Sequence, residues 1–230
     1  MARQKTLTAL LVGAIACLAA EAPATAAPKV SVKTQHYAVK GSSPRELLAY
    51  MLRHGPTGST GPALGTASAN IKQAADLRQS GKRCRIVNYR LSLGIVLRLP
   101  KLAKNQRLNK ATRRRWNGLA AYIRKHELRH KEIYIQCGRT IERKIRSLSG
   151  KYSCPVLHAK MQATFAAENE KCDRRQQKFD AREAKRIPKL ALIKQALKTP
   201  RARPSRKVQR NASGTQRTSS SISSIELSTR

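Results

Sequence analysis

The sequence predicts an α+β fold in which a small antiparallel sheet packs on two helices, and three observations carry that prediction. From Val87 to Leu99 the odd positions are apolar and most even ones polar, the period of a half-buried strand. From about Thr112 to Leu148 the apolar spacing changes to three and four, the period of an amphipathic helix. The helical spacing returns through Leu157, Met161, Phe165, Glu168, Cys172 and Phe179. All aromatic residues lie between Tyr37 and Phe179, so the folded domain is expected within residues 28 to 185.

The elements follow in chain order. Arg3 and Lys5 precede an uncharged run from Leu7 to Ala20, then Ala24-Thr25-Ala26-Ala27. These are the three regions of a secretory signal peptide, expected over residues 1 to 27. The run falls short of the roughly 20 residues a bilayer crossing needs, so removal rather than anchoring is expected. Ser42-Ser43-Pro44-Arg45-Glu46 starts a short helix by supplying a cap, a first-turn proline and an early acid, and Gly55-Pro56 stops it. Between Thr57 and Lys82 the chain is rich in Gly, Ala, Ser and Thr, with alternation only around Ala67 to Ile71, where a strand is expected. Pro100 is expected to end the long strand, Gly150 to close the long helix, and the last helix to begin just after Cys154-Pro155.

From Arg186 onward the chain carries basic residues throughout, one acid (Glu226), prolines at 188, 200 and 204, and many serines after Asn211. Residues 186 to 230 therefore read as a disordered basic tail. The whole chain has 48 Lys plus Arg against 12 Asp plus Glu, a formal charge of +36, which favours acidic partners without specifying a fold. Nucleic acid is not the expected partner. A leader peptide directs the chain to export, and no aromatic is interleaved with the basic tail to stack on bases.

Once the leader is removed, four cysteines remain: Cys84, Cys137, Cys154 and Cys172. An even count in an exported chain suggests two disulfides, with three possible connectivities. None forms a Cys-x-x-Cys pair, which argues against a zinc ribbon or a thioredoxin-type site.

Chemistry enters in the long helix, at His126-Glu127-Leu128-Arg129-His130. Four residues on an α-helix turn through about 400°, so the two imidazoles lie about 40° apart and can reach one metal ion. Glu127 is rotated by about 100° from His126, the placement in which a metalloprotease carboxylate takes the proton of an attacking water. The competing reading is a core helix face bearing two satisfied histidines and a solvated Glu.

Several segments together resemble one family. They are His36-Tyr37-Ala38-Val39-Lys40-Gly41-Ser42-Ser43-Pro44-Arg45-Glu46-Leu47, Gly55-Pro56, Cys84-Arg85-Ile86 leading to Leu99-Pro100, and Trp116 ten residues before the His-Glu-x-x-His motif. Over about residues 35 to 183 the chain is similar to the DUF922 family, described as secreted zinc-dependent proteases on the strength of that motif. The resemblance implies export, one Zn2+ held by His126 and His130, Glu127 as catalytic base, and a disulfide between Cys84 and Cys154. Family members carry a Tyr-Asp-x-x-Thr-x-His-Gly stretch after the last helix. Here the aligned stretch begins Phe179-Asp180, and Lys185 stands at the histidine position.

A catalytic zinc takes three protein ligands plus water, so another residue has to complete the set. Asp180 is the first candidate, followed by Glu183 and Glu168. Glu168 sits on the apolar stripe of the last helix, where pairing with a basic side chain competes with ligation. Cys137 lies on the same helix face as His130. Thiolate ligation is open to it, but oxidation in an exported chain favours a bridge to Cys172 on the neighbouring helix.

The expected function is that of an exported or periplasmic zinc metallopeptidase acting on a peptide or protein. The alternative is a degenerate relative that binds anionic envelope polymers or a membrane surface through its basic face and tail.

Overall fold

The computed structural model describes residues 27–58 and 61–198. Its elements are strand β1 (Lys29–Val39), helix α1 (Pro44–His54), strands β2 (Thr66–Ser80) and β3 (Arg83–Leu102), helices α2 (Lys110–Arg146) and α3 (Cys154–Ala184), a 3-10 turn (Ile187–Lys189) and helix α4 (Ala191–Lys198). The class is α+β, as expected. The expected leader, residues 1 to 27, lies outside the described residues except for its last, and so does the chain beyond Lys198.

The sheet runs β1-β3-β2, and its strand sense corrects the expectation of an all-antiparallel sheet. β2 and β3 form a long antiparallel hairpin, with Thr66 opposite Arg98 and Ser80 opposite Arg83. Its two-residue turn places Gly81 at φ 58°, a conformation glycine adopts without steric cost. β1 pairs with β3 in parallel, from Lys29 opposite Ser92 to Val39 opposite Leu102. The chain satisfies that sense by placing α1 and the whole of β2 between them.

The long strand behaves as its period requires. Tyr89, Leu91, Leu93, Ile95, Leu97 and Leu99 are all buried, while Val87 is exposed. Pro100 does not end β3. It lies past the last β2 partner, where β3 continues paired to β1 alone, so no second ladder is broken there.

α2 begins with Asn109, whose side chain accepts the Thr112 amide at 2.8 Å, a standard N-cap. Its buried stripe runs through Trp116, Leu119, Ile123, His126, His130, Ile133, Cys137, Ile141 and Ile145. At Gly138 the helix backbone approaches the sheet, and an added Cβ would stand 2.9 Å from Leu93 Cδ1. α3 packs beside α2, and two disulfides fix it: Cys84–Cys154 ties its start to β3, and Cys137–Cys172 ties its middle to α2. Such bridges fit an extracellular or otherwise oxidising compartment. No helix among the described residues is long and apolar enough to cross a membrane.

The boundary expected at residue 185 also moves. Ile187, Leu192, Ile193 and Ala196 are buried, and α4 packs against α1 and α2. The ordered domain therefore reaches Lys198, because Leu192, Ile193 and Ala196 fall on one face of a short helix despite the basic residues among them.

Candidate metal centre

α2 and α3 carry the site between them. His126 and His130 are one turn apart on the stripe that faces α3, and Asp180 lies on the opposing face of α3. Asp180 Oδ1 stands 3.0 Å from His126 Nε2 and 2.9 Å from His130 Nε2, and the two Nε2 atoms are 2.8 Å apart. The three atoms form a triangle that could hold a metal ion, with ligand types and number suited to a catalytic site. The Phe179 ring packs on both imidazoles, at centroid distances of 4.7 and 4.9 Å.

A residue that the sequence reading missed sets the proton positions. Gln176 is fully buried one turn before Asp180. Its Nε2 donates to the His130 carbonyl at 3.3 Å, which turns its Oε1 toward His130 Nδ1 at 2.7 Å. Nδ1–H therefore donates to Gln176, and in the neutral ring Nε2 keeps a bare lone pair. That lone pair faces a carboxylate oxygen and a second imidazole nitrogen. With both rings neutral, three electron-pair donors converge with at most one proton among them, and a cation satisfies all three. The donor set thus fits a metal. The sequence did hold a signal, since a glutamine spaced four from both Cys172 and Asp180 occupies a buried helix face.

Replacing Gln176 by leucine is expected to weaken metal affinity about 10- to 100-fold, the usual cost of losing the partner that orients a ligating histidine. Titration against a competing chelator measures it.

Glu127 lies against the site with no exposed surface, and neither of its carboxylate oxygens has a hydrogen-bond partner. Burial pushes its pKa well above the usual carboxylate range, and the charge of Asp180 pushes the same way. Burial lowers His126 and outweighs the raising effect of its bond to Asp180. For Asp180, burial acts to raise the carboxyl, but the bonds to His126 and His130 prevail and its pKa falls below the ordinary value. Tyr37 closes another side, donating its hydroxyl to Leu64 O at 2.7 Å. Burial, then the charge of Glu127, raises its pKa.

Gly65 supplies the space Glu127 occupies. A Cβ there would stand 2.6 Å from Ile123 Cγ2 and 3.1 Å from Glu127 Oε1. Gly65→Ala is expected to destabilise the protein by about 1–3 kcal/mol through overpacking, read by denaturant unfolding.

The other two candidates for the ligand set point elsewhere. Glu183 accepts from Tyr122 Oη at 2.9 Å and pairs with Arg186 at 3.0 Å. Glu168 bonds Lys144 Nζ at 2.7 Å and Lys171 Nζ at 2.6 Å, so its place on the stripe is explained by an ion pair between α2 and α3. Lys185, at the family's histidine position, is exposed at the end of α3.

The chain has no match among curated proteins or solved structures. The model of a family described as bacterial protein of unknown function, DUF922, matches residues 34–186. That span takes in the sheet from Thr34 onward, both disulfides and the entire triad, and the chain belongs to the DUF922 family.

Proposed function

We propose that this chain is an exported zinc-dependent peptidase in which His126, His130 and Asp180 hold the metal and Glu127 is the general base. One observation supports this most: three ligand atoms converge beside a buried carboxylate whose two oxygens have no other partner. A buried carboxylate without partners is costly to a fold, and such costs concentrate where function uses them. When bound, zinc supplies a water of near-neutral pKa and polarises a peptide carbonyl. Glu127 Oε then takes the proton of water and returns it to the leaving amine. Gln176 holds the His130 ring in register through Nδ1, and Phe179 keeps bulk water from both imidazoles. Zinc suits the mixed nitrogen and oxygen donors. Export rests on the leader read in residues 1 to 27, and the two disulfides agree with it.

A second reading is favoured by burial. Glu127 and His130 have no exposure, His126 has 3%, and of the triad Asp180 is the most open, with 17% of its side chain exposed. A closed site suits a relative that holds metal without turning over substrate and binds anionic envelope polymers through its charged surface.

Elemental mass spectrometry of the purified protein tests the metal. Near-stoichiometric zinc that vanishes in His126→Ala is expected, and no zinc after incubation with excess metal would overturn the proposal. A peptide-library digest then separates the two readings.

A further inference from the structure

A groove of about 400 Å³ is lined by Arg129 and Ile133 of α2 and by Arg175, Lys178, Ala181 and Arg182 of α3. Its walls are sequence neighbours of the metal centre. Arg129 precedes His130, Lys178 precedes Phe179, and Ala181 and Arg182 follow Asp180. Four of the six side chains are cationic, and no carboxylate lines the groove.

The cations are not all neutralised by the fold. Arg129 pairs with Glu132 at 2.8 Å in an exposed contact, which stabilises little and yields easily to a competing anion. Arg175 donates to Gln136 Oε1 at 2.6 Å and contacts Cys137 Sγ at 3.8 Å, so its guanidinium is held in place but keeps its charge. Lys178 and Arg182, one turn apart on α3, pair with no carboxylate among the described residues. Asp180, between them in sequence, turns the other way to the histidines. Ile133 is buried beneath this ring of charge.

We infer that this groove is a substrate-binding subsite for acidic peptides, which places Asp or Glu side chains on Lys178 and on the guanidinium groups of Arg129, Arg175 and Arg182. The inference rests on the peptidase reading for its choice of a peptide. Charge complementarity selects carboxylates, planar groups that the three guanidiniums can meet in bidentate fashion. The buried Ile133 and the exposed methyl of Ala181 suit peptide backbone and methylenes better than a fully charged phosphate chain. A residue seated here lies on the two helices that carry the triad.

The test measures binding apart from turnover. A fluorescent Glu-rich peptide is titrated by anisotropy into disulfide-bonded Glu127→Gln protein at fixed salt. The same protein carrying Lys178→Ala and Arg182→Ala is expected to bind about tenfold more weakly, as two exposed ion pairs are lost. A control carrying Lys33→Ala on β1 and Lys82→Ala in the β2–β3 turn removes equal charge, and its affinity is expected to stay within about twofold. Equal loss in both would overturn the subsite in favour of general charge attraction. Groove-dependent binding of polyphosphate, with none of the Glu-rich peptide, would overturn it in favour of a phosphate polymer. Groove-dependent peptide binding without any hydrolysis by the unsubstituted protein would leave the subsite standing and reject the peptidase. Hydrolysis indifferent to substrate charge and to Lys178 and Arg182 would do the reverse.

Discussion

Glu127→Gln is expected to lower peptide hydrolysis by about 10²- to 10⁴-fold, the usual contribution of a general base, while zinc content stays at the unsubstituted level. The amide keeps the shape of the side chain in a pocket bounded by Gly65 and Ile123, so packing is preserved. It cannot accept and hold a proton as the carboxylate does, so the chemistry is not. The same change is expected to leave the melting temperature unchanged or raise it. A carboxylate with no exposure and no hydrogen-bond partner costs stability that a neutral amide costs less, and trading stability for a working site is common in enzymes. His126→Ala gives the contrasting signature of lost metal as well as lost activity. Retained zinc, collapsed turnover and undiminished stability together identify a base. Unchanged turnover in Glu127→Gln would remove Glu127 from the chemistry.

The parts of the fold that were legible are those where one physical rule dominates. β3 is central in the sheet and buries one face against α2, so its side chains alternate cleanly from Tyr89 to Leu99. α2 crosses that sheet and buries a stripe along nearly its whole length, so its period is unmistakable. The His-Glu-x-x-His pattern lies on that stripe, and Asp180 could be singled out because the resemblance placed it where a ligand was needed.

The rest was hidden for reasons that can be named. β1 is an edge strand whose first half is exposed, with Val30 37% and Val32 48% accessible, so no buried face imposed a period. β2 is mostly Ala, Gln, Ser and charged residues beyond Ile71, held by hydrogen bonds to β3 with Ala75 and Leu77 only partly buried against the core. α4 buries Leu192, Ile193 and Ala196 in a segment whose basic composition reads as solvated. Gln176 is invisible to hydrophobic periodicity because it is polar, and its role appears only when His130 is placed opposite. Gly65 matters through the space it leaves, which only a three-dimensional neighbour defines.

Removing the Cys137–Cys172 bridge and removing the Cys84–Cys154 bridge are expected to cost similar stability but to differ in their effect on the metal. The bridges span 35 and 70 residues, and loop-closure entropy gives about 3.8 and about 4.4 kcal/mol at 25 °C. For a domain of this size that predicts a fall in melting temperature of roughly 8–16 °C for either double Cys→Ala variant. Cys137 lies two helical turns after His130, and Cys172 two turns before Asp180. The first bridge therefore pins together the two helices that supply the triad, close to the place where they must meet. The second pins the base of β3 to the start of α3, far along that helix from Asp180. Loss of Cys137–Cys172 is expected to weaken zinc affinity at least about tenfold, as when the structural support of a ligand is removed, and loss of Cys84–Cys154 to leave it within about threefold. Calorimetric unfolding and chelator competition on the two variants separate the effects. Equal zinc affinity in both would mean that packing of Phe179 and Gln176 sets the helix register, and that the bridge contributes stability alone.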